Sequence, residues 1–514
     1  MGYIKLNSVK DNTIQDRAAN SVSSPEGTSA NMGADSVVEI SNRKLSSIVD
    51  ESFVRRALIQ FELSGLTKAV ADGKLVLGNS DTNITLHMRH VNHETMQATN
   101  FNINVFPVLS AWTEGGGLFN GSEGPEPVSG VSNWNYRVAG GAWNDPGLGL
   151  SGALTSSDVD VTSSAVSNSF TTGYEDLTAD IKSIVTNWVE GTSSNHGLLL
   201  TLDQTNESLT GTDFGAKAFA SRETNTLKAP YISISYNNLV KDDRASIAKG
   251  ASAGLAFYNI VNNEYQDITS SGFGTSTANF LGTVKLYGSS SSTGPWAALT
   301  GNEAGSSLTA VRVKKGVYRT TFTLGMGEYK EKESAYGTAQ YGENFFDDTE
   351  INEYEYFQDV WTVTGNHPLT ALSTSSVSST WKAIDWLGSS SFYDLDQLSI
   401  NIRNFKDSFH HESHAIFRLF IEKNNLIDLT PLTAAVNSST TGVIVRNGQW
   451  KIVDAETNET IIPYFDLDYD QNGNFFELDM SNLEVNYRYK IVFKLTHLGE
   501  TKILNNKRFT FSVI

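Results

Sequence analysis

Short runs rich in Val, Ile, Tyr and Phe, separated by Gly, Ser, Thr and Asn, recur along this chain and constrain its fold more than any other feature. In "VYRTTFTL", residues 317–324, Tyr318, Phe322 and Leu324 alternate with side chains such as Arg319. This alternation places the two sets of side chains on opposite faces of a β-strand. Many such runs with glycine-rich turns predict an all-β chain in which helix is a minor component.

The length of 514 residues leaves room for several domains. We predict a polar N-terminal arm at residues 1–19, which orders only on a partner, and a jelly-roll-like β-sandwich with one short helix at 20–237. A middle β-sandwich at 241–390 and a C-terminal immunoglobulin-like sandwich at 391–514 follow, because the third segment offers six or seven strand-like runs. The predicted fold class is therefore a series of tandem β-sandwiches.

Two stretches of the middle segment, "YGSSSSTGP" and "LSTSSVSST", are rich in serine. We predict that both are loops, since runs of small polar residues between periodic segments are typical of loops. The acidic and aromatic block "GENFFDDTEINEYEYFQDVW" is predicted to be a solvated loop that enters a strand, with a subunit contact as the alternative.

The charge and the cysteine content exclude several kinds of protein. With 57 acidic and 38 basic residues, the net charge is −19, which disfavours direct binding of nucleic acid because that needs clustered Lys and Arg. The chain has no cysteine, so disulfides, thiolate metal sites and a cysteine nucleophile are excluded. We find no secretory signal and no apolar run that could span a membrane, and expect a protein made in a cytoplasm.

The segment 176–191, "DLTADIKSIVTNWVEG", is predicted to be the helix of the first sandwich. An apolar stripe at helical spacing runs along it: Leu177, Ile181, Ile184, Val185 and Trp188. We expect Asp176 or Thr178 to cap its start and Gly191 to follow its end. Trp188 could be a platform for a sugar ring, but its place in the stripe favours a core side chain.

Five pieces of the first segment occur in a familiar order: "SPEGTSANMG", "VRRALIQFELSGL", "AWTEGGG" with "NWNYRVAGGAWNDPG", "DLTADIKSIVTNWVEGTSSNHGLLL" and "FASRETNTLKAPYISISY". Together they resemble the disaggregatase-related, carbohydrate-binding-module-like sandwich of the DNRLRE type. The resemblance covers residues 20–237. It implies an accessory sandwich of secreted or surface proteins that sometimes binds polysaccharide and is not itself catalytic.

The rest of the chain, including "AIFRLFIEKNNL" and "KRFTFSVI", is similar to structural proteins of tailed bacteriophages. A surface-type β module without a secretion signal fits a virus particle that is released by lysis. We therefore expect a non-enzymatic virion protein of the neck, collar, fibre or outer head, which contacts other virion proteins and copies of itself in a symmetric assembly. The alternative is a carbohydrate-binding adhesin or host-adsorption protein that recognises a surface polysaccharide.

The glycine-rich stretch 111–149 holds the best candidates for a glycan site: Trp112, Glu114, Trp134, Tyr136 and Trp143. Sugars bind by stacking their apolar faces on aromatic rings that have carboxylates or amides beside them. The same tryptophans could instead pack the sandwich, because their exposure cannot be read from the sequence. Both interpretations stay open at this point.

The segment 468–479, "DYDQNGNFFELD", resembles a calcium-binding loop. Asp468, Asp470 and Asn472 occupy its positions 1, 3 and 5, but Asp479 stands at position 12, where such loops carry a bidentate Glu. Helical flanks are missing, and an Asn-Gly pair between two β-rich runs is a strong hairpin signal. We predict a hairpin and keep calcium as the weaker alternative, with no other cofactor.

Histidines cluster in "FHHESHAIF", where His410, His411, Glu412 and His414 lie together. A zinc hydrolase needs two His four residues apart on one helix. This stretch has the pattern of a turn before a strand, so we predict a polar turn or a subunit contact. No nucleophile elbow, phosphate-binding loop or dinucleotide motif occurs, and we predict no catalytic residues. A glycosidase remains a third, disfavoured hypothesis because carboxylates are abundant.

Overall fold

The computed structural model describes residues 2–16, 27–44, 52–92, 98–120, 124–125, 130–149, 157–161, 165–209, 214–245, 247, 249, 252–261, 264–268, 282–299, 307–324, 345–346, 351, 354–363, 375–383, 398–423, 444–497 and 500–514. Strands in several separate sheets dominate these residues. This confirms the predicted all-β class of tandem β-sandwiches. None of the helices in the described ranges has the length and apolar character that a membrane-spanning helix needs.

The chain divides into two compact units. The first unit comprises Tyr3–Ala71 and Val76–Tyr236, and the second comprises Asn237–Ile514, with which residues 1–2 and 72–75 are grouped. The predicted boundary between the first sandwich and the rest lies at the same place. The predicted boundary at 390/391 lies outside the described residues.

The first unit contains fourteen strands and three helices in its described part. The strands are β1 (Gly2–Gln15), β2 (Val37–Lys44), β3 (Ser52–Phe61), β4 (Asn83–Met88), β5 (Phe101–Pro107), β6 (Phe119–Asn120), β7 (Gly124–Pro125), β8 (Tyr136–Val138), β9 (Gly141–Ala142), β10 (Val166–Phe170), β11 (Leu177–Asp180), β12 (Leu198–Leu202), β13 (Gly215–Ala220) and β14 (Tyr231–Tyr236). The helices are α1 (Ser64–Ala71), α2 (Lys182–Val189) and α3 (Gln204–Glu207), where we predicted one. Short 3-10 turns lie at Gly27–Ser29, Pro146–Leu148 and Arg222–Thr224.

The main sheet path of this unit follows the order β10-β5-β12-β3-β1-β14-β4-β11, with β2 beside β3 and β13 beside β2. Strand β1 pairs antiparallel with β3 from Ser8 to Gln15. The prediction of an arm at residues 1–19 is therefore wrong for residues 2–15, and residues 17–19 lie outside the described ranges. The polar side chains that suggested an arm, such as Asp11 and Asn12, are fully buried and join an internal hydrogen-bond network.

A second apolar layer covers one face of this sheet. Its buried members are Ile14, Val54, Leu58, Phe106, Val108, Trp112, Trp134, Trp143, Leu148, Val159 and Leu199. Several of them come from the long connection between β5 and β10, which folds back over β3. Both faces of β3 are consequently covered, and Ala57, Leu58 and Ile59 are all fully buried.

The predicted helix at 176–191 is shorter than expected. Leu177–Asp180 forms β11, which pairs with β4, and the helix begins at Lys182. Asp176 makes no cap but accepts hydrogen bonds from Arg89 and from the His90 N–H. Gly191 does follow the helix in the left-handed region, with φ 75°. Trp188 is buried on the core side of α2, as its place in the apolar stripe predicts.

The second unit contains twenty strands in its described part. They are β15 (Ser252–Tyr258), β16 (Ile260–Val261), β17 (Glu264–Tyr265), β18 (Gly282–Ser289), β19 (Ala297–Ala298), β20 (Val311–Lys314), β21 (Val317–Leu324), β22 (Phe345–Phe346), β23 (Tyr356–Val363), β24 (Ser375–Lys382), β25 (Leu398–Ile402), β26 (Ser408–Phe409), β27 (His414–Lys423), β28 (Gly448–Asp454), β29 (Thr460–Asp466), β30 (Asp468–Asp470), β31 (Gly473–Asp479), β32 (Arg488–His497), β33 (Glu500–Leu504) and β34 (Thr510–Val513). Short 3-10 turns lie at Met480–Asn482 and Lys507–Phe509.

Strands β16 and β17 form a small two-stranded sheet, and the other described strands of this unit form two pairs of sheets. The first pair consists of β15-β21-β20 with β22, and of β19-β18-β23-β24. The second consists of β25-β27-β31-β30, and of β26-β34-β32-β28-β29 with β33. Aromatic rings stack between the sheets of each pair: Phe257 lies 5.3 Å from Trp361, and Phe476 lies 4.4 Å from Trp450.

The prediction of a loop at "LSTSSVSST" is wrong for residues 375–380, because they belong to β24. This strand pairs with β23 over its whole length, from Val363 opposite Ser375 to Tyr356 opposite Lys382. Near its end the buried Trp381 packs into the core of the sheet pair. Backbone pairing and this one anchor therefore override the low strand preference of serine.

Candidate functional site

The three tryptophans predicted as a glycan platform are core side chains. Trp112, Trp134 and Trp143 are only 2%, 6% and 4% exposed. The indole N–H of Trp112 donates to the His196 carbonyl at 2.8 Å, and that of Trp143 donates to the Asn133 carbonyl at 2.9 Å. Of the five predicted glycan residues only Tyr136 is widely exposed, at 48%. The packing interpretation is therefore the right one for the tryptophans, whose rings are not offered to a sugar.

The fifth predicted residue, Glu114, is positioned by a buried asparagine. The Asn31 side-chain amide donates to the carbonyls of Glu114 at 2.6 Å and Ser132 at 2.8 Å, while its oxygen accepts from the Gly117 N–H at 2.9 Å. A Cβ at Gly33 would collide with the backbone of Glu114 and Gly115, and a Cβ at Gly117 would collide with the backbone of Asn31. The backbone that carries Glu114 is thus held rigidly against the sheet.

Glu114 belongs to a group of charged side chains that we call the Asp11 cluster, formed by Asp11, Glu114, Arg222 and Glu223. Asp11 lies in β1, Glu114 in the connection after β5, and Arg222 and Glu223 in the 3-10 turn that follows β13. One carboxylate oxygen from each of the three acids lies within 4.8 Å of the others. Three separate parts of the chain therefore converge on this group.

Hydrogen bonds fix part of each carboxylate in the Asp11 cluster. The Asp11 N–H donates to Glu114 Oε1 at 2.7 Å, and the Arg222 N–H donates to Asp11 Oδ2 at 2.7 Å. The Arg222 guanidinium contacts Glu114 Oε2 at 3.0 Å and Glu223 Oε1 at 2.6 Å. Asp11 Oδ1 and Glu223 Oε2 are buried and have no hydrogen-bond partner.

The electrostatics of the Asp11 cluster disfavour full ionisation. Burial, together with the neighbouring carboxylates Glu223 and Glu114, raises the pKa of Asp11 to about 8, although the Arg222 N–H and its charge oppose the rise. Burial also raises the pKa of Glu114. Three carboxylates beside one guanidinium can hold a further positive charge, and oxygen-rich groups of this kind suit hard divalent cations.

The segment predicted as a hairpin or a calcium loop is a hairpin. Asp470 pairs with Gly473, so that Gln471 and Asn472 form the turn between β30 and β31. The three aspartate side chains of this segment are each engaged in other contacts. Asp468 accepts from the Val240 N–H at 2.7 Å, Asp470 forms a two-pronged ion pair with Arg418 at 2.8 Å, and Asp479 accepts from the Ser481 hydroxyl at 2.7 Å. Burial raises the pKa of Asp468 to about 6.

His410, His411 and Glu412 lie in the turn between β26 and β27, as predicted, and His414 is the first residue of β27. The His411 N–H donates to the Ile514 carbonyl at 2.9 Å, and the exposed His410 accepts from the Ser413 hydroxyl through its carbonyl. Glu412 is exposed. His414 lies 3.7 Å from Glu477, which Lys314 of β20 contacts at 2.6 Å. His414 therefore lies beside the Lys314–Glu477 ion pair, and the described residues form no zinc-type ligand set here.

Glu477 gives a testable pH dependence. Burial alone would raise its pKa, but the neighbouring side chains of His414 and Lys314 lower it to about 2. Because the pKa is lower in the folded state, the stabilisation is complete above pH ~4.5 and disappears as the pH falls towards about 2. We expect Glu477→Gln to reduce the free energy of unfolding by roughly 2 kcal/mol at neutral pH, with a smaller difference at pH ~3.

Denaturant unfolding of the full chain at several pH values measures this effect. Glu355→Gln is the matched control, since Glu355 forms an exposed ion pair with Lys382 and should contribute little. An equal loss for Glu477→Gln at both pH values would contradict the assignment.

A pocket of about 170 Å³ lies beside Trp188. Its lining includes Pro107, Asp160, Ile184 and Ser193. This volume is below the roughly 300–1,000 Å³ that is usual for small-molecule sites, so the pocket is too small for an oligosaccharide.

Comparisons with known proteins show no close relative. No family model and no curated protein matches the chain. Among solved structures, the titin domains Z1Z2 in complex with telethonin are 11% identical, with 52% of this chain and 90% of that chain covered and a TM-score of 0.13. Trypsin-activated alpha-2-macroglobulin from Escherichia coli is 9% identical, with 89% of this chain and 24% of that chain covered and a TM-score of 0.15. At these TM-scores the two likenesses carry no functional conclusion.

Proposed function

We propose that this chain is a non-enzymatic structural component of a tailed-phage particle and acts by assembly with copies of itself and with other virion proteins. The proposal includes two expectations from the sequence. One is the resemblance to phage structural proteins, and the other is an immunoglobulin-like sandwich in the C-terminal segment. In such a role the sandwiches are rigid spacers, and their edges and loops make the contacts.

The use of the aromatic side chains supports this proposal. Rings that could form a binding surface are packed between sheets or under the connection after β5, as with Trp112, Trp134 and Trp143 in the first unit and Trp361 and Trp450 in the second. Sites for small molecules and polymers usually keep such rings accessible. A scaffold, in contrast, needs them in its cores.

The observation that carries the proposal is the edge strand β24. Among the described strands it pairs with β23 alone, and Ser376, Val377 and Ser378 in its centre are exposed. Natural edge strands are usually protected by Lys, Pro or a bulge, whereas the only charge in β24 is Lys382 at its end. We propose that β24 pairs antiparallel with β24 of a second copy, since such a contact is self-complementary about a two-fold axis.

The variant Val377→Lys tests this contact. Val377 is 51% exposed, so the fold tolerates the substitution, but two lysines then meet across the pair of strands. We expect at least about tenfold weaker self-association, measured by sedimentation of the full chain. Val485→Lys is the matched control, because Val485 is 42% exposed and lies in the turn before β32, outside β24. Equal association of the two variants would contradict a role for β24.

Purified particles test the virion assignment. We expect mass spectrometry to detect the chain in phage particles after extensive washing, and cryo-imaging to place it in several symmetric copies. Its absence from the particles, together with its presence on a cell surface, would contradict the proposal.

A second candidate function, binding of a surface glycan, is favoured by one observation. Tyr136 and Tyr174 of the first unit are 48% and 62% exposed, and exposed tyrosines can stack on sugar rings. A glycan array of the full chain and of Tyr136→Ala separates this candidate from the first. Specific binding that is lost in the variant would favour the adhesin, and no binding favours assembly.

A further inference from the structure

We propose that Asp11, Glu114 and Glu223 bind a calcium ion in the first unit. The site is distinct from the loop at 468–479, which forms a hairpin, and it involves residues that the proposed assembly role does not use.

The first argument comes from oxygens without partners. Asp11 is fully buried, yet its Oδ1 accepts no hydrogen bond. The Oε2 atom of Glu223 is also buried without a hydrogen-bond partner, although the side chain as a whole is partly exposed. A buried carboxylate oxygen without a donor is destabilising, because it has lost its hydrogen bonds to water and forms none within the protein. A cation bound by the Asp11 cluster can supply the partner that such an oxygen lacks.

The second argument comes from distance. Two oxygens bound to one Ca²⁺ at about 2.4 Å can lie at most about 4.8 Å apart. One oxygen of each acid in the Asp11 cluster meets this limit with respect to both others. Mg²⁺ requires shorter bonds in a strict octahedron, whereas Ca²⁺ accepts irregular sets of six to eight oxygens. Glu114 and Glu223 are partly exposed, at 17% and 22% of their side chains, so water can complete the coordination.

Arg222 makes the site adjustable. Its guanidinium holds Glu114 and Glu223 in the structure, but 41% of its side chain is exposed, so it can turn into solvent. The guanidinium and a calcium ion are therefore competitors for the same carboxylates. Replacing Arg222 by Gln removes the competitor and should strengthen calcium binding by about tenfold.

Calcium at this position would join three parts of the chain. Asp11 belongs to β1, Glu114 to the connection after β5, and Glu223 to the turn after β13. We therefore expect calcium to raise the unfolding temperature of the first unit and to slow proteolysis of this connection.

Calcium titration of the full chain by calorimetry tests the site. We expect a Kd on the order of 10⁻⁴ to 10⁻³ M, as in other partly hydrated calcium sites, with Mg²⁺ binding weaker. As a second readout, Tb³⁺ bound in place of Ca²⁺ should luminesce on tryptophan excitation, since Trp112 is close in sequence to Glu114, and Ca²⁺ should displace it. Glu114→Gln and Glu223→Gln should each weaken binding at least about tenfold.

Controls keep the outcome decisive. Glu190→Gln changes an exposed carboxylate directly after α2, outside the cluster, and should leave calcium binding unchanged. Circular dichroism checks folding, and if Asp11→Asn fails to fold, the partly exposed Glu223 provides the deciding variant. Equal calcium binding by the wild type and by Glu223→Gln, or weaker binding by Arg222→Gln, would overturn the proposal.

Discussion

Replacing Asp359 by Ala is expected to lower the free energy of unfolding of the second unit by about 3–5 kcal/mol. Asp359 lies fully buried in β23 and accepts hydrogen bonds from the indole N–H groups of Trp361 at 2.8 Å and Trp381 at 2.9 Å. It also forms a two-pronged ion pair with Arg244, at 3.2 and 2.7 Å. Its removal leaves two buried indoles and a largely buried guanidinium without this acceptor.

Denaturant unfolding followed by tryptophan fluorescence measures this loss. Asp359→Asn should be intermediate, because an amide keeps one acceptor oxygen but loses the charge. Glu355→Ala, directly before β23 and exposed, is the control and should lower the free energy of unfolding by less than about 0.5 kcal/mol. A loss below about 1 kcal/mol for Asp359→Ala would show that the carboxylate does not organise this core.

The second large effect is expected at Arg56 in the first unit. Its guanidinium is fully buried, pairs with both oxygens of Glu207 at 2.8 and 2.7 Å, and donates to the carbonyls of Gly147 and Gly149. It also lies 5.1 Å from the ring of Trp134. Removal of the carboxylate by Glu207→Ala leaves a buried positive charge, and we expect a loss of about 3–5 kcal/mol.

A double-mutant cycle separates the pair from its surroundings. Arg56→Met with Glu207→Leu should be less destabilising than the sum of the two single changes, because no unpaired charge remains. The double variant should still have a lower free energy of unfolding than the wild type, since the carbonyls of Gly147 and Gly149 lose the donor that Arg56 provides. Strict additivity of the two changes would contradict a direct coupling between them.

Local sequence patterns predicted the elements in which burial alone decides which side chains face the core. The alternation at 317–324 predicted β21, the apolar stripe around Trp188 predicted its burial, and the Asn-Gly pair predicted the hairpin at 468–479. In each case the information lies within a few residues. Strand β24 was missed because its backbone pairing with β23 decides its structure, and a serine-rich sequence does not reveal that partner.

The Asp11 cluster shows why the rest was not predictable. Asp11 and Arg222 are 211 positions apart, and only the neighbourhood of β1 in the folded sheet brings them together. The strand character of residues 2–15 was hidden for a similar reason, because their partner strand β3 lies elsewhere in the sequence and their polar side chains suggest an arm. Glu114 was selected from the sequence for a different reason, as a carboxylate beside tryptophans that were candidates for binding a sugar. Those tryptophans lie in the second apolar layer.

Sedimentation of the purified full chain over a wide range of concentration tests the central claim most directly. Assembly as the chain's function predicts a closed oligomer of defined mass that dissociates in Val377→Lys and persists in Val485→Lys. The claim would be contradicted if the chain stayed monomeric at every concentration and cleaved or modified a polysaccharide.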